Sequence, residues 1–516
     1  MTQNNSLTQN QTLPNAKFLL TIQGISIVLG LFYNYLFYEK TIGISFFIYI
    51  NLILIAGFFL AKNFQIKITK FILIPTIPLL FFSAMVFVRS SSLLTILNYS
   101  ISAYLLLMLA FSLAKPKIAN YFFGDYLSIL KLPLNFASAA PNAITDSIQI
   151  FSNIKKYQNT TQILRGILIT LPILIVFLFL FSSADLVFNK YCVAIIDALF
   201  SAEIFIKLYF VIIVALVFIG VFYYSFQGRS EVCVADQFKT KSSNHNIIET
   251  LILFGSINAL FLAFLIVQFK YLFFGGDNAS VQGFTYAEYA RSGFFQLITI
   301  AVISFFLIRF TEKKSLQNSG EYSRTFKFMG GALIVQVIVV MASAFKRLAL
   351  YEDAYGFTEL RLYSHIFTVL LAVGLVLLLY KLLVNHREDR FAFGVFLSVV
   401  ATLAMINLIN PDSFVAKKNI ERFVSSGKLD IDHLTRSLSE DSVPEAIQAM
   451  NLLSTDELSK GRIAAILYKK QQTLTINTNW QSIRLSGLLA KELLDPIEDN
   501  LYQLSNLTIH TKNLNL

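Results

Sequence analysis

Apolar runs of about 18 residues or more without charge recur along the first four-fifths of the chain, and each is long enough for one helical crossing of a bilayer. They fall at roughly residues 18–38, 41–61, 71–88, 93–114, 166–188, 206–226, 247–269, 293–310, 326–345, 364–384 and 391–410, which predicts eleven spans. Pro75, Pro78 and Pro172 interrupt the third and fifth and would kink them. Between spans four and five, Ile144, Ile148, Phe151 and Ile154 repeat at helical spacing, predicting an amphipathic helix lying on the membrane surface.

After residue 411 the pattern changes to shorter amphipathic segments. Ser442-x-x-Glu445, with Pro444 just inside, and Ser454-x-x-Glu457 match the capping box, in which hydroxyl and carboxylate satisfy each other's backbone donors. Helices are expected from about 443 and 455, over 412–425 directly after Asn410-Pro411, and around 480–494. In the last, Trp480, Ile483, Leu488, Leu489 and Leu493 would form the buried face. The expected fold is therefore all-α, a polytopic transmembrane helical bundle of about 11 spans with a C-terminal soluble helical domain. Its parts are a polar N-terminal tail (1–17), four first spans (18–114), a cytoplasmic amphipathic connector (115–165), a seven-helix transmembrane core (166–410) and the C-terminal helical domain (411–516).

Composition agrees with a membrane setting: 55% of residues are hydrophobic and only 14% charged, against about 25% charged in soluble domains. Sidedness follows from Lys and Arg, which concentrate in cytoplasmic loops. Of 30 such residues up to 411, 21 fall on the N-terminal tail and the even-numbered loops. This puts the N-terminus inside and the C-terminal domain outside. The net charge of +11 resides in the membrane part, where a basic rim facing anionic lipid accounts for it without a nucleic-acid partner. Cys192 and Cys233 fall on opposite sides and cannot pair within the chain.

Chemistry-bearing motifs are sparse. The five histidines are dispersed, and there is no phosphate-cradling glycine loop, nucleophile elbow or paired metal-ligand spacing. No catalytic residue, metal or cofactor is expected, and the balance leans away from an enzyme without excluding one. No span carries an ionisable residue near its middle, whereas ion-coupled transporters place such groups there.

Polar residues gather instead at the expected outer face, in three stretches. These are Ser182-Ser183-Ala184-Asp185, then TYAEYARSGFFQL (285–297), then RLALYEDAYGFTELRLY (347–363). Glu288 and Arg291 share a helical face, as do Arg347 and Tyr351, and Glu359 and Tyr363. Gly356 can end one helix, and Thr358-Glu359 can start the next. Aromatic-belt and headgroup pairing explains such residues structurally; their density beside charge-free spans makes them ligand or partner candidates.

The stretches SSADLVF, NALFLAFLIVQFKYLFFGG, TYAEYARSGFFQL and RLALYEDAYGFTELRLY, with NPDSFVAKKNIERF and LDIDHLTRSLSEDSVPEA in the tail, together resemble a bacterial family of multi-span membrane proteins. It is the domain of unknown function numbered four-one-seven-three, related to a set numbered four-one-five-three. The likeness runs from about residue 165 into the tail. It implies a bacterial cytoplasmic (inner) membrane protein with no established activity, and it singles out Asp185, Tyr286, Glu288, Arg291, Arg347, Tyr351, Tyr355, Glu359 and Arg361. The expected role is a non-enzymatic envelope scaffold or signalling component. It would contact the lipid bilayer and could offer its C-terminal domain to a protein partner. The alternatives are a transporter or channel for a small or lipidic solute, and a membrane-embedded enzyme acting on a lipid-linked envelope substrate.

Overall fold

The computed structural model describes residues 16–65, 70–114, 118–153, 202–227, 247–273, 294–315, 322–427, 429–453, 456–476 and 479–513, with isolated positions between 170 and 190. Tyr286, Glu288, Arg291, Cys192, Cys233, Pro172 and Ser454 lie outside the described residues. Helices dominate throughout. Nine of them among the described residues are long and apolar enough to cross a membrane. Of the other two expected spans, Leu73–Val88 is 16 residues long, short of a full crossing, and 166–188 falls almost wholly outside the described residues.

The chain divides into two compact units, residues 1–75, 106–116 and 128–234, and residues 76–105, 117–127 and 235–516. In the first, α1 (Ala16–Phe37), α2 (Ile44–Asn63), α6 (Leu132–Asn153) and α7 (Ala202–Gln227) pack together. Ile22, Leu29, Leu60, Phe222 and Phe226 form its core. Backbones touch where side chains are absent: a Cβ on Gly30 would sit 2.6 Å from the Val211 carbonyl oxygen, and one on Gly220 2.2 Å from that of Phe136. Helix α6 turns Ala139, Ala140, Ala143 and Ser147 inward and leaves Ile144 and Ile148 exposed. Gln23 donates to Ser147 at 2.8 Å and the Tyr223 hydroxyl to Asp146 at 2.5 Å.

The second unit contains α3 (Leu73–Val88) from its fourth residue, the first part of α4 (Ser92–Ala114) and most of α5 (Phe123–Ser128). It continues through α8 (Ile247–Phe273), α9 (Phe294–Ser315), α10 (Arg324–Tyr355), α11 (Glu359–Leu383) and α12 (Glu388–Ile409). Phe254, Phe305, Phe326, Leu333, Val337, Leu375 and Leu382 fill the core between these helices. The 32 residues of α10 extend about 48 Å, well beyond a hydrocarbon layer of about 30 Å. The stretch from Arg347 thus continues the helix beyond the apolar run, as far as the stop expected at Gly356. The helix ends at Gly356, whose φ of +85° no side-chain-bearing residue adopts readily, and α11 starts after Thr358.

Asn410, left-handed at φ +57°, is all that separates α12 from α13 (Pro411–Ser426), because a proline ring cannot continue the preceding helix. Helices α14 (Val443–Leu452), α15 (Glu457–Ile476), α16 (Leu485–Leu494) and α17 (Glu498–Asn513) follow. Together with α13 they bury Val415, Leu434, Val443, Ile463, Leu467, Leu494 and Leu501, and Phe357 and Leu362 of the membrane part pack against that cluster.

Two sequence expectations fail here. The Ser442-x-x-Glu445 capping box does not form. Ser442 donates instead to the Ser439 carbonyl at 2.9 Å, and Glu445 accepts from the Ser413 hydroxyl of α13. A tertiary partner has displaced the local one. Around 480–494 the buried face is Ser486, Ala490 and Leu494, while Trp480, Leu488, Leu489 and Leu493 are exposed. Small residues let α16 lie close against α15, as at Gly487 beside Leu474, so the bulky residues point outward.

Candidate functional site

Two polar clusters occupy opposite ends of α10, α11 and α12. The first joins the C-terminal ends of α9 and α11 to the N-terminal end of α12. Arg309 pairs with Glu312 and lies bidentate on Glu388, with contacts of 2.6 and 3.2 Å to the latter. Lys381 pairs with Glu312 at 2.6 Å and also with Glu388. The four form a closed ring of alternating charge. Tyr322, preceding α10, donates its hydroxyl to Glu312; burial, reinforced by Glu312, raises that phenol above its ordinary pKa. Phe123 and Phe391 cover Arg309 at 5.2 and 5.0 Å. Side chains of Glu312 and Lys381 are each only 3% exposed.

Composition alone made Arg309 and Lys381 look like rim charges facing headgroups. They are buried ion-pair members instead, because carboxylates from two other helix ends reach them. The one local signal was the i,i+3 spacing of Arg309 and Glu312; Lys381 and Glu388 join only through the turn between α11 and α12.

The second cluster ties the membrane helices to the C-terminal module. At the turn between α3 and α4, the Ser90 N–H (2.7 Å) and hydroxyl (3.2 Å) both donate to Asp441 Oδ2. Arg89 pairs with the same carboxylate at 3.5 Å and donates through Nε to the Asn407 carbonyl at 3.0 Å. Asn98 and Asn407, both fully buried, exchange two amide hydrogen bonds of 2.8 Å. Asn419 of α13 brackets Phe357, accepting from its N–H and donating to its carbonyl, each at 2.8 Å. Glu359 faces the buried Asp412. Asp412 also accepts from the Ser439 N–H at 2.8 Å. Burial pushes the Asp441 carboxyl up, against the opposing Ser90 and Arg89 donors. Burial likewise lowers Lys470, whose Nζ donates to the Leu438 carbonyl at 2.8 Å.

Of the sequence candidates, Tyr351, Tyr355, Glu359 and Arg361 meet around this cluster's edge, with Arg347 one turn earlier on α10. Arg361 stacks on the Tyr351 ring at 4.1 Å and donates to the Gly356 carbonyl. Tyr351 packs on Tyr355 at 4.9 Å, and Arg347 is buried. Asp185 belongs to the other unit and is exposed. Among the described residues no group of three or more His, Cys, Asp or Glu could hold a metal ion. The Asn98–Asn407 pair and the anchoring Arg89, Ser90 and Asp441 were missed because their partners lie more than 300 residues apart.

Residues 76–449, well over half of the chain, match the family described as a domain of unknown function, DUF4153. The chain belongs to this family. DUF4153 is the second of the two numbered sets that the sequence resembles, and its match starts about 90 residues earlier than that likeness, with α3. Both polar clusters lie inside the DUF4153 region, except Lys470, which follows it, while α1 and α2 precede it. No curated protein and no solved structure matches the chain.

Proposed function

We propose that this multi-pass membrane protein is a non-enzymatic scaffold or signalling component of the bacterial cytoplasmic membrane. In that reading α10, α11 and α12 are struts between a charge-locked end and a helical module keyed to their other end. The observation that carries it is the pairing of the two clusters on the same helices. Lys381 and Glu359 lie 22 residues apart on α11, about 33 Å along its axis. The Lys and Arg distribution supports placing the ring on the cytoplasmic side and the C-terminal module outside.

A strut that couples its ends must transmit a disturbance. Hydrogen exchange on the full-length protein in nanodiscs, comparing wild type with Lys381→Met, tests this. Faster exchange in α13 and α14 is expected; a change confined to the ends of α9, α11 and α12 would refute the coupling. A transporter is the second reading, favoured by the Asn98–Asn407 pair buried between apolar helices, since polar groups within spanning segments can mark pathways. The enzyme reading draws less support. In that reading Glu288 or Glu359 would be the acid/base and Arg291 or Arg361 a phosphate clamp, but Glu359 faces Asp412 and Arg361 is stacked on Tyr351.

A further inference from the structure

The C-terminal module exposes an apolar face with an identifiable orientation. Trp480 is 43% exposed, Leu488 48%, Leu489 52% and Leu493 43%. On α16, with Leu485, these leucines span an arc of about 140°, interrupted by Glu492. The opposite face, Ser486, Ala490 and Leu494, is committed to the module's own packing.

What fixes the direction of this face is Arg484, immediately before α16. Its Nη1 donates to the Ser90 carbonyl at 3.3 Å, in the turn between α3 and the spanning helix α4. Arg484 also lies within electrostatic reach of Tyr99, two turns into α4. Asp441, on a segment packed against α16, holds the same turn by accepting from the Ser90 N–H and hydroxyl. A turn joining two apolar membrane helices sits at the level of the lipid headgroups. Residues 480–493 are thereby held at that level with Trp480, Leu488, Leu489 and Leu493 about half exposed.

We propose that Trp480 and the α16 leucines form an interfacial anchor that seats the C-terminal module on the bilayer surface. The chemistry fits. Tryptophan favours the headgroup boundary, and a short helix with one apolar face lies in the plane of the interface. The exposed arc carries no cation, so the contact is with the lipid boundary itself and not with anionic charge. The inference stands on the junction geometry, independent of whether the struts transmit a signal.

Trp480 is the chain's one tryptophan, so the intact protein carries its own reporter. Full-length protein is reconstituted into phosphatidylcholine vesicles containing lipid spin-labelled near the headgroup or at the chain end, and Trp480 emission is measured with each label and with aqueous iodide. Expected is quenching at least twofold stronger from the shallow label than from either the deep label or iodide, unchanged when anionic lipid is added. The variant L488S/L489S/L493S, with helix content checked by circular dichroism, should lose at least half of the lipid quenching while gaining iodide quenching. Iodide quenching without lipid quenching overturns the proposal. So does protection from both quenchers that disappears on dilution of protein in lipid, which would assign the face to a second copy. A variant indistinguishable from wild type overturns it equally.

Discussion

Replacing Lys381 by Met isolates what the charge ring contributes. The lysine is 3% exposed and touches both Glu312 and Glu388. Methionine keeps the stem volume that packs beside Phe391 while removing the charge. Two unit charges about 4 Å apart attract by about 4 kcal/mol at an effective dielectric near 20, an attraction largely offset by the desolvation of forming the ring. Removing one member leaves that desolvation uncompensated at Glu312, where Arg309 alone must serve two carboxylates. Cutting one partner from a buried pair costs about 3–5 kcal/mol. Adding Glu312→Gln restores neutrality, and the amide can still accept from Tyr322. The double variant should therefore be less destabilised than the sum of the singles by about 2 kcal/mol or more, within the range of coupling between contacting residues. Denaturant titration in detergent, followed by far-ultraviolet circular dichroism, measures all four proteins. A single-variant loss below about 1 kcal/mol, the value of an exposed pair, or strict additivity would refute the burial argument.

Three further outcomes follow from the junction. Asn407→Leu strands the buried Asn98 amide and should cost about 1–3 kcal/mol, whereas Asn98→Leu with Asn407→Leu should recover most of the loss; the same titration reads both. Gly427→Ala meets open space at φ +70° and should cost about 1 kcal/mol from backbone strain. Gly356→Ala should cost at least twice that, since its Cβ would also lie 2.9 Å from Asn419 Oδ1, and thermal melting ranks the two. Burial raises the Asp441 pKa, so the folded protein keeps that proton to higher pH than the unfolded chain. Its contribution is complete below an unfolded value of about 4 and is lost as pH rises through the folded value. Asp441→Asn should therefore gain on wild type as pH rises from 4, and a parallel pair of stability–pH curves would contradict this.

Hydrophobic run length alone placed nine of the eleven expected membrane helices, because spanning a bilayer needs an uninterrupted apolar stretch, and the break at Asn410-Pro411 was local too, since a proline cannot extend the helix before it. The turn at Gly356 was equally local, requiring only a residue tolerant of positive φ. The stretch 347–363 could be marked as polar and unusual, but not that Arg361 would stack on Tyr351 or that Glu359 would meet Asp412. The first depends on how the α10–α11 turn closes and the second on α13 folding back onto it. The charge ring was hidden more deeply. Lys381 reads as an end-of-span cation, and only the convergence of α9, α11 and α12 turns it into a buried partner of two carboxylates. On α16 the bulky leucines suggested the buried face, and close packing of Ser486 and Ala490 reversed it. Period and composition thus determined which segments are helices and which lie in lipid. Tertiary structure decided which polar groups are desolvated together, since a side chain's cost of burial depends on partners brought to it from elsewhere in the chain.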